Sequence, residues 1–393
     1  MLPFEHYLPE DYHQAILIGR VWEPAQGEKP AGPIPILIVD DKVFDISGLY
    51  PTVAHIFASS NYKETLAALH GAPALCSIAE LIEMSLSAGG RGDKRHLLAP
   101  VDLQPVKACG VTFASSMIER VIEEKAAGDF EKAAAIRDEL QDAIGGSLAN
   151  IEPGSEAAAK LKVALIEAGY WSQYLEVGIG PDAEVFSKAS VLSSVGLGAE
   201  IGLHPKSEWN NPEPEIVLIV DPEQNIVGVT LGNDVNLRDI EGRSALLLGK
   251  AKDNNASCSL GPFIRLLDDN FTKDDVRNAV LSLKIEGPDG YVLDGKSSMA
   301  EISRDIEDLV RQASGATHQY PDGFALMTGT LFAPTDDRDT KDMGFTHKLE
   351  DVVRISTQKL GTLENQVTLS DKAPPWRFGI MALIASLRER NLI

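Results

Sequence analysis

NNPEPEIVLIVDPEQNIVGVTLGNDVNLRDIEG, residues 210–242, reads as two apolar strands joined at DPEQN, with carboxylates where the pair begins and ends. A strand places residues i and i+2 on one face, so Glu213 and Glu215 point the same way and Val217 and Ile219 continue that face. Pro212 and Pro214 lack N–H donors, which marks an edge or a strand entrance. The returning strand runs antiparallel and brings Asn233 and Asp234 out at its far end. An unpaired carboxylate on a core-facing strand is costly. Three together do not all stay ionised without a cation. An all-oxygen ligand set favours a hard ion, Mg2+ first, with Mn2+ or Ca2+ as alternatives. The residues alone leave a second reading open, in which the glutamates are exposed edge charges and Asp234 is a turn residue.

Outward from this hairpin, the chain beyond about residue 183 is a series of short strands, such as FIRLL, LSLKIEG, GYVLDGK and GFALMTGTL. One amphipathic helix, SSMAEISRDIEDLVRQAS, interrupts them. Many short strands with few helices predict an α+β fold with a mixed β-roll or barrel-like sheet, not a doubly wound one. Upstream, the pattern is helical from about residue 115 to 143, with a break at Gly128-Asp129 and an apolar stripe of Met117, Ile118, Val121 and Ile122. A second helical stretch follows Ser155, a candidate N-cap, so a helical insertion is expected at about 125–175. The first hundred residues read as a smaller α+β unit, and the Gly- and Pro-rich SAGGRGDKRHLLAPVDLQP is the best boundary. The expected division is therefore 1–105 and 106–393.

The formal charge of −22, from 36 basic and 58 acidic side chains, argues against nucleic-acid and anionic-membrane binding, which need positive surface. Cys76, Cys109 and Cys258 are odd in number and scattered, so no disulfide framework or zinc cluster is expected. The start, MLPFEHYLPEDYHQ, has no signal-peptide pattern, and no run of about 18 apolar residues suggests a membrane span. A soluble cytoplasmic protein is expected. No Gly-x-Gly-x-x-Gly or P-loop pattern supports a nucleotide site.

PEPEIVLIV, GNDVNLRDIEG, AKDNNASCSLGPF, MTGT and GTLENQV occur in an order that resembles the fumarylacetoacetate hydrolase superfamily, from about Gly110 to the C-terminus. The resemblance implies that Glu213, Glu215 and Asp234 bind Mg2+ or a similar ion. It makes Lys252, chosen over Lys250 by its spacing to Ser257-Cys258, the active-site lysine, which would stabilise an enolate developing on a 2-oxo acid. It places Arg238 and Glu241 against substrate, although hydrolases usually carry Gln where this chain has Glu241, and gives Thr330 the substrate carboxylate. A homodimer or homotetramer is also implied.

The departure lies at GVTFASSMIERVIEE. Hydrolytic members resemble Gly-x-Asn-Tyr-x-x-His-x-x-Glu here, and their His and Glu activate water. Ser116 stands at the His position, facing substrate, and Glu119 matches the Glu. Without the imidazole a water nucleophile lacks its usual base. Glu119 is left as a lone general acid/base. The segment, with RDIEG and KASVLSSVG, is similar to the sugar-acid dehydratase branch. That branch implies Mg2+-dependent dehydration of a small 2-oxo sugar acid, a 2-keto-3-deoxy-pentonate, to 2-oxoglutarate semialdehyde in oxidative pentose catabolism. The competing readings are an acylpyruvate-type hydrolase or oxaloacetate decarboxylase, and a non-catalytic sugar-acid-binding protein.

Overall fold

A computed structural model describes residues 2–27, 29–69, 73–90, 94–127, 129, 132–133, 136, 151–330, 337–339 and 344–393. An eleven-stranded sheet is built around the opening hairpin. In its centre Pro214–Val220 pairs antiparallel with Ile226–Asp234, which pairs in turn with Cys258–Leu266. Beyond Pro214–Val220 come Phe324–Met327, then Val106–Gly110 and Glu184–Ala189. On the other flank Leu17–Glu23 joins Cys258–Leu266 and leads to Gly32–Val39, Lys42–Asp45 and Cys76–Ser77. Strands from the first hundred residues therefore lie in the same sheet as the hairpin.

Every residue of Pro214–Val220, Ile226–Asp234 and Cys258–Leu266 is buried, because both faces of the sheet are covered. Ile216, Leu218 and Val220 share one core with Leu283, Ile285, Val353 and Ile355 of a second, five-stranded sheet. Val217 and Ile219 share another with Val53, Ile56, Phe57 and Tyr62, from the helices Val53–Phe57 and Tyr62–Ala67. The first hundred residues thus supply strands at one flank and a cover for one face.

Both sheets are open, which corrects the barrel part of the expectation. Closing the larger sheet would require Glu184–Ala189 to pair with the two-residue strand Cys76–Ser77, which is too short to zip a barrel wall.

The helix Ala114–Ala126 buries Met117, Ile118, Val121 and Ile122 against Leu175, Ile179 and Trp209, as its stripe predicts. Most of the expected continuation to residue 143 lies outside the described residues. Ser155 caps the helix Glu156–Glu167, its Oγ accepting from the Ala158 N–H at 3.1 Å. Among the described residues no helix is long and apolar enough to cross a membrane.

Candidate active site

The open end of the hairpin is polar. The Asp234 N–H donates to the Glu213 carbonyl at 3.0 Å, and the Glu213 N–H donates to Asn233 Oδ1 at 3.2 Å. Strand register does the rest, and one oxygen each from Glu213, Glu215 and Asp234 lie within 4.8 Å of one another, all three residues buried.

Each carboxylate also has an oxygen held by a donor from a different element. Arg120 of the helix Ala114–Ala126 donates to Glu213 Oε1 at 2.5 Å. Gly329, after the strand Phe324–Met327, gives its N–H to Glu215 Oε2 at 2.6 Å. Gly329 has a φ of 91°, and a Cβ there would meet Thr112 Oγ1 at 2.0 Å, so only glycine brings that N–H so close. Lys188 of the strand Glu184–Ala189 lies 2.7 Å from Asp234 Oδ1 and donates to the Val235 carbonyl at 3.0 Å. The Lys252 ammonium meets both Glu213 Oε2, at 2.5 Å, and Asp234 Oδ2, at 3.1 Å.

The electrostatics follow from burial and these pairings. Burial, then the charges of Asp234 and Glu213, push the Glu215 carboxyl well above its ordinary range. Burial alone would raise Asp234 too, but Lys188 and Lys252 bring it below. Burial opposes the charge of Lys252, yet Asp234, Glu213 and Glu241 outweigh it and hold the ammonium protonated.

The cavity encloses about 20 Å3 and is lined by Ser116, Arg120, Glu184, Glu241, Lys252 and Thr330 beside the three ligand candidates. About 10–15 Å3 suffices for one water, so an ion or a water fits while a five-carbon acid does not. Five carboxylates (Glu184, Glu213, Glu215, Asp234, Glu241) face three cations (Arg120, Lys188, Lys252) here. With all five ionised, the excess of two negative charges would be balanced by one divalent cation, which would also relieve the crowding that raises the Glu215 carboxyl, and the all-oxygen donor set fits Mg2+ or Mn2+.

Ser116, Glu241, Lys252 and Thr330 thus join the triad around one cavity, but Glu119 and Arg238 are not among its lining residues. The helix turns Ser116 and Arg120, four residues apart, toward the cavity, which leaves Glu119 on the neighbouring face. There it accepts from Arg238 at 3.1 Å, and that guanidinium stacks over the Trp209 ring at 4.4 Å. Arg238 therefore pairs with Glu119 across two helices. Ser116 Oγ donates to the Phe113 carbonyl at 2.8 Å, a helix-start bond.

Arg120, Lys188 and Glu184 went unread in the sequence. Glu184, Phe186 and Lys188 alternate along one strand, so they share a face, and an acid-x-aromatic-x-base pattern was the available signal. Burial pushes the Glu184 carboxyl above its ordinary range, Arg120 partly opposing it. Its Oε2 lies over Gly110, where a Cβ would come within 1.9 Å.

Residues 181–368 match the family described as fumarylacetoacetate (FAA) hydrolase, C-terminal. The chain is 32% identical over 183 residues to the 2-dehydro-3-deoxy-D-arabinonate dehydratase of Saccharolobus solfataricus, 46% of this chain and 57% of that protein. It is 32% identical over 202 residues to the "Probable 2-keto-3-deoxyxylonate dehydratase" of Haloferax volcanii, 51% of this chain and 66% of that one. Neither match reaches two thirds of the relative's length. Among solved structures, the apo form of a 2-keto-3-deoxy-D-arabinonate dehydratase shares the fold, with a TM-score of 0.63 at 21% identity over 90% of this chain and 99% of that chain. The same enzyme complexed with magnesium and 2,5-dioxopentanoate gives a TM-score of 0.62 at 21% identity, with the same coverage. The matched segment, a little under half of the chain, holds all five carboxylates of the cavity, and it is in this segment that the chain resembles the fumarylacetoacetate hydrolase family.

Proposed function

We propose that the protein dehydrates a 2-keto-3-deoxy-pentonate to 2-oxoglutarate semialdehyde (2,5-dioxopentanoate), with Mg2+ held by Glu213, Glu215 and Asp234. The observation that carries this reading is the lining of the cavity. It joins three ligand carboxylates and Lys252 to a further carboxyl, Glu184, and no histidine is among the lining residues. That set suits proton transfer next to a carbonyl better than activation of a water nucleophile. Both relatives bear names of sugar-acid dehydratases, and a fold relative has been solved with magnesium and the expected product.

The ion, when bound, acts as a Lewis acid on the 2-oxo group and makes the C3 protons more acidic. Lys252 presents an ammonium to the same oxygen and stabilises the charge that grows there. Glu184 takes the proton from C3. Its raised pKa suits a group that gives a proton back, and it returns that proton to the C4 hydroxyl as the C4–O bond breaks and water leaves. A second proton shift, from C5 to C3, converts the unsaturated alcohol into the enol of the aldehyde. One water is lost and no oxidant is needed. Thr330, which lines the cavity, holds the substrate carboxylate through its hydroxyl in this reading.

The test is direct. Purified protein with Mg2+ should convert 2-keto-3-deoxy-xylonate or 2-keto-3-deoxy-arabinonate to 2,5-dioxopentanoate, and acylpyruvates and oxaloacetate should be untouched. Both sugar acids unchanged, or faster turnover of oxaloacetate, would overturn the reading.

A further inference from the structure

Of the four donors that hold the ligand carboxylates, Lys188 and the Gly329 N–H belong to the sheet or its loops, and Lys252 ends the short helix Leu248–Lys252. The fourth, Arg120, comes from the helix Ala114–Ala126, which packs against the site from a separate core. The Arg120 guanidinium spans two carboxylates, meeting Glu213 Oε1 at 2.5 Å and Glu241 Oε2 at 3.0 Å. Glu241 closes the short helix Arg238–Glu241, whose first residue meets Glu119 at 3.1 Å. Adjacent residues of one helix, Glu119 and Arg120, therefore clasp both ends of another with their signs crossed. A planar guanidinium held in this way fixes the direction of its bond to Glu213. One oxygen of Glu213, Oε1, is thus taken by Arg120, while the other, Oε2, meets Lys252, which also meets Asp234.

Resting on the reading of Glu213, Glu215 and Asp234 as ligands, we propose that Arg120 is a positioning residue. It holds Glu213 as a one-oxygen ligand and so ties binding of a divalent cation to docking of the helix Ala114–Ala126 over the cavity. The cavity has room for an ion but not for a five-carbon acid, and in this proposal the helix is the element that gives way to substrate, with Arg120 carrying its movement to the ligand set. Glu241 is the anchor of the guanidinium.

A charge-neutral double variant separates positioning from bulk electrostatics. Arg120→Gln with Glu241→Gln removes one positive and one negative charge, so simple Coulomb attraction for a cation is nearly unchanged. Mn2+ titration calorimetry on the full chain should nonetheless show affinity falling about 10- to 100-fold, the usual loss when a ligand's orienting partner is removed. Amide exchange in residues 117–126 should slow on adding Mn2+ to the wild type and not in the double variant. Arg120→Lys, which keeps the charge but cannot span both carboxylates, should bind Mn2+ at least fivefold more weakly than wild type, and it carries the test if the double variant fails to fold. Mn2+ affinity within threefold of wild type in these variants, or equal protection of the helix, overturns the proposal. Wild type that ignores Mn2+, or a Glu213→Gln variant that binds it as well as wild type, sinks the ligand reading itself and this proposal with it.

Discussion

Replacing Lys188 with methionine asks whether the site is balanced by buried charge. Lys188 is fully buried, with its ammonium on Asp234 Oδ1 at 2.7 Å, on the Val235 carbonyl at 3.0 Å and on the Lys252 carbonyl. Methionine is unbranched and of similar length, so packing should survive. What is lost is one of the two ammonium groups on Asp234, which is itself buried. Removing one partner of a buried pair costs about 3–5 kcal/mol, because the other charge is left uncompensated. Lys252 remains on Asp234, which places the expected loss near the lower end. Unfolding entropy near 60 °C is about 2.1 cal/mol/K per residue, or about 0.8 kcal/mol/K for this chain if it unfolds as one unit, so the melting midpoint should fall by about 4 °C. The variant site is also one charge more negative, so saturating Mg2+ should raise the midpoint further in Lys188→Met than in wild type. Scanning calorimetry with and without Mg2+ reads both effects. Pairing the change with Asp234→Asn closes a cycle in which a coupling above about 2 kcal/mol is expected for groups in contact. A midpoint within 1 °C of wild type, or a coupling near zero, would show that Lys188 does not neutralise Asp234.

Other consequences follow from the same geometry. Glu184→Gln should lower kcat about 10²–10⁴-fold, as for loss of a proton-transfer group, while Mn2+ affinity stays within threefold. Turnover and titration calorimetry on one preparation separate the two. Gly110→Ala should cost activity with little stability, because the new Cβ meets the mobile end of Glu184 at 1.9 Å and displaces its carboxyl. A displacement of that size can cost about 100-fold in rate, and the assay fails the argument if turnover is unaffected while the melting midpoint holds. Asp11 joins the first residues of the chain to fully buried Arg265 by two bonds of 2.6 and 2.8 Å. Asp11→Ala should therefore destabilise the protein by about 3 kcal/mol or more, read as a lower calorimetric midpoint. Partial burial alone would raise the Asp11 pKa, but hydrogen bonds from Arg265 and Lys359 bring it from 3.8 down to about 2. A depressed carboxylate contributes stability that is complete above its unfolded value, so about 2 kcal/mol should fade as pH falls from 3.8 to about 2, and Asp11→Ala should lack that slope.

The cluster of Glu213, Glu215 and Asp234 was legible because it depends on local rules. A period of two puts Glu213 and Glu215 on one face, and a hairpin returns the chain to them at Asp234. Lys252 was legible only through the family spacing, and the barrel was overcalled because strand count does not reveal whether a sheet closes. Alternation could not tell which strands were central, since strands covered on both faces are apolar throughout. Glu119 drew attention because it follows Ser116 by three residues, whereas the helix presents the fourth, Arg120, to the cavity.

The residues that the sequence hid share one property: each acts on a group carried by another element. Arg120 reaches a hairpin from a helix, Lys188 reaches Asp234 from a strand that is not its neighbour, and Glu184 enters the cavity over Gly110. Of these, only the alternation of Glu184 and Lys188 leaves a local pattern, and it does not say which groups they reach. In the proposed function the hairpin by itself supplies a place for a hard cation, a property that many reactions of 2-oxo acids share. Which reaction follows would then depend on the proton carriers and positive charges brought to that cation from elsewhere, and the candidates are Glu184, Lys252 and Arg120. If that division is right, exchanging Glu184 for another residue should change the chemistry without changing the ion bound, and exchanging Asp234 should abolish ion binding and turnover together. Loss of ion binding on changing Glu184, with turnover and ion binding surviving the loss of Asp234, would reverse the assignment.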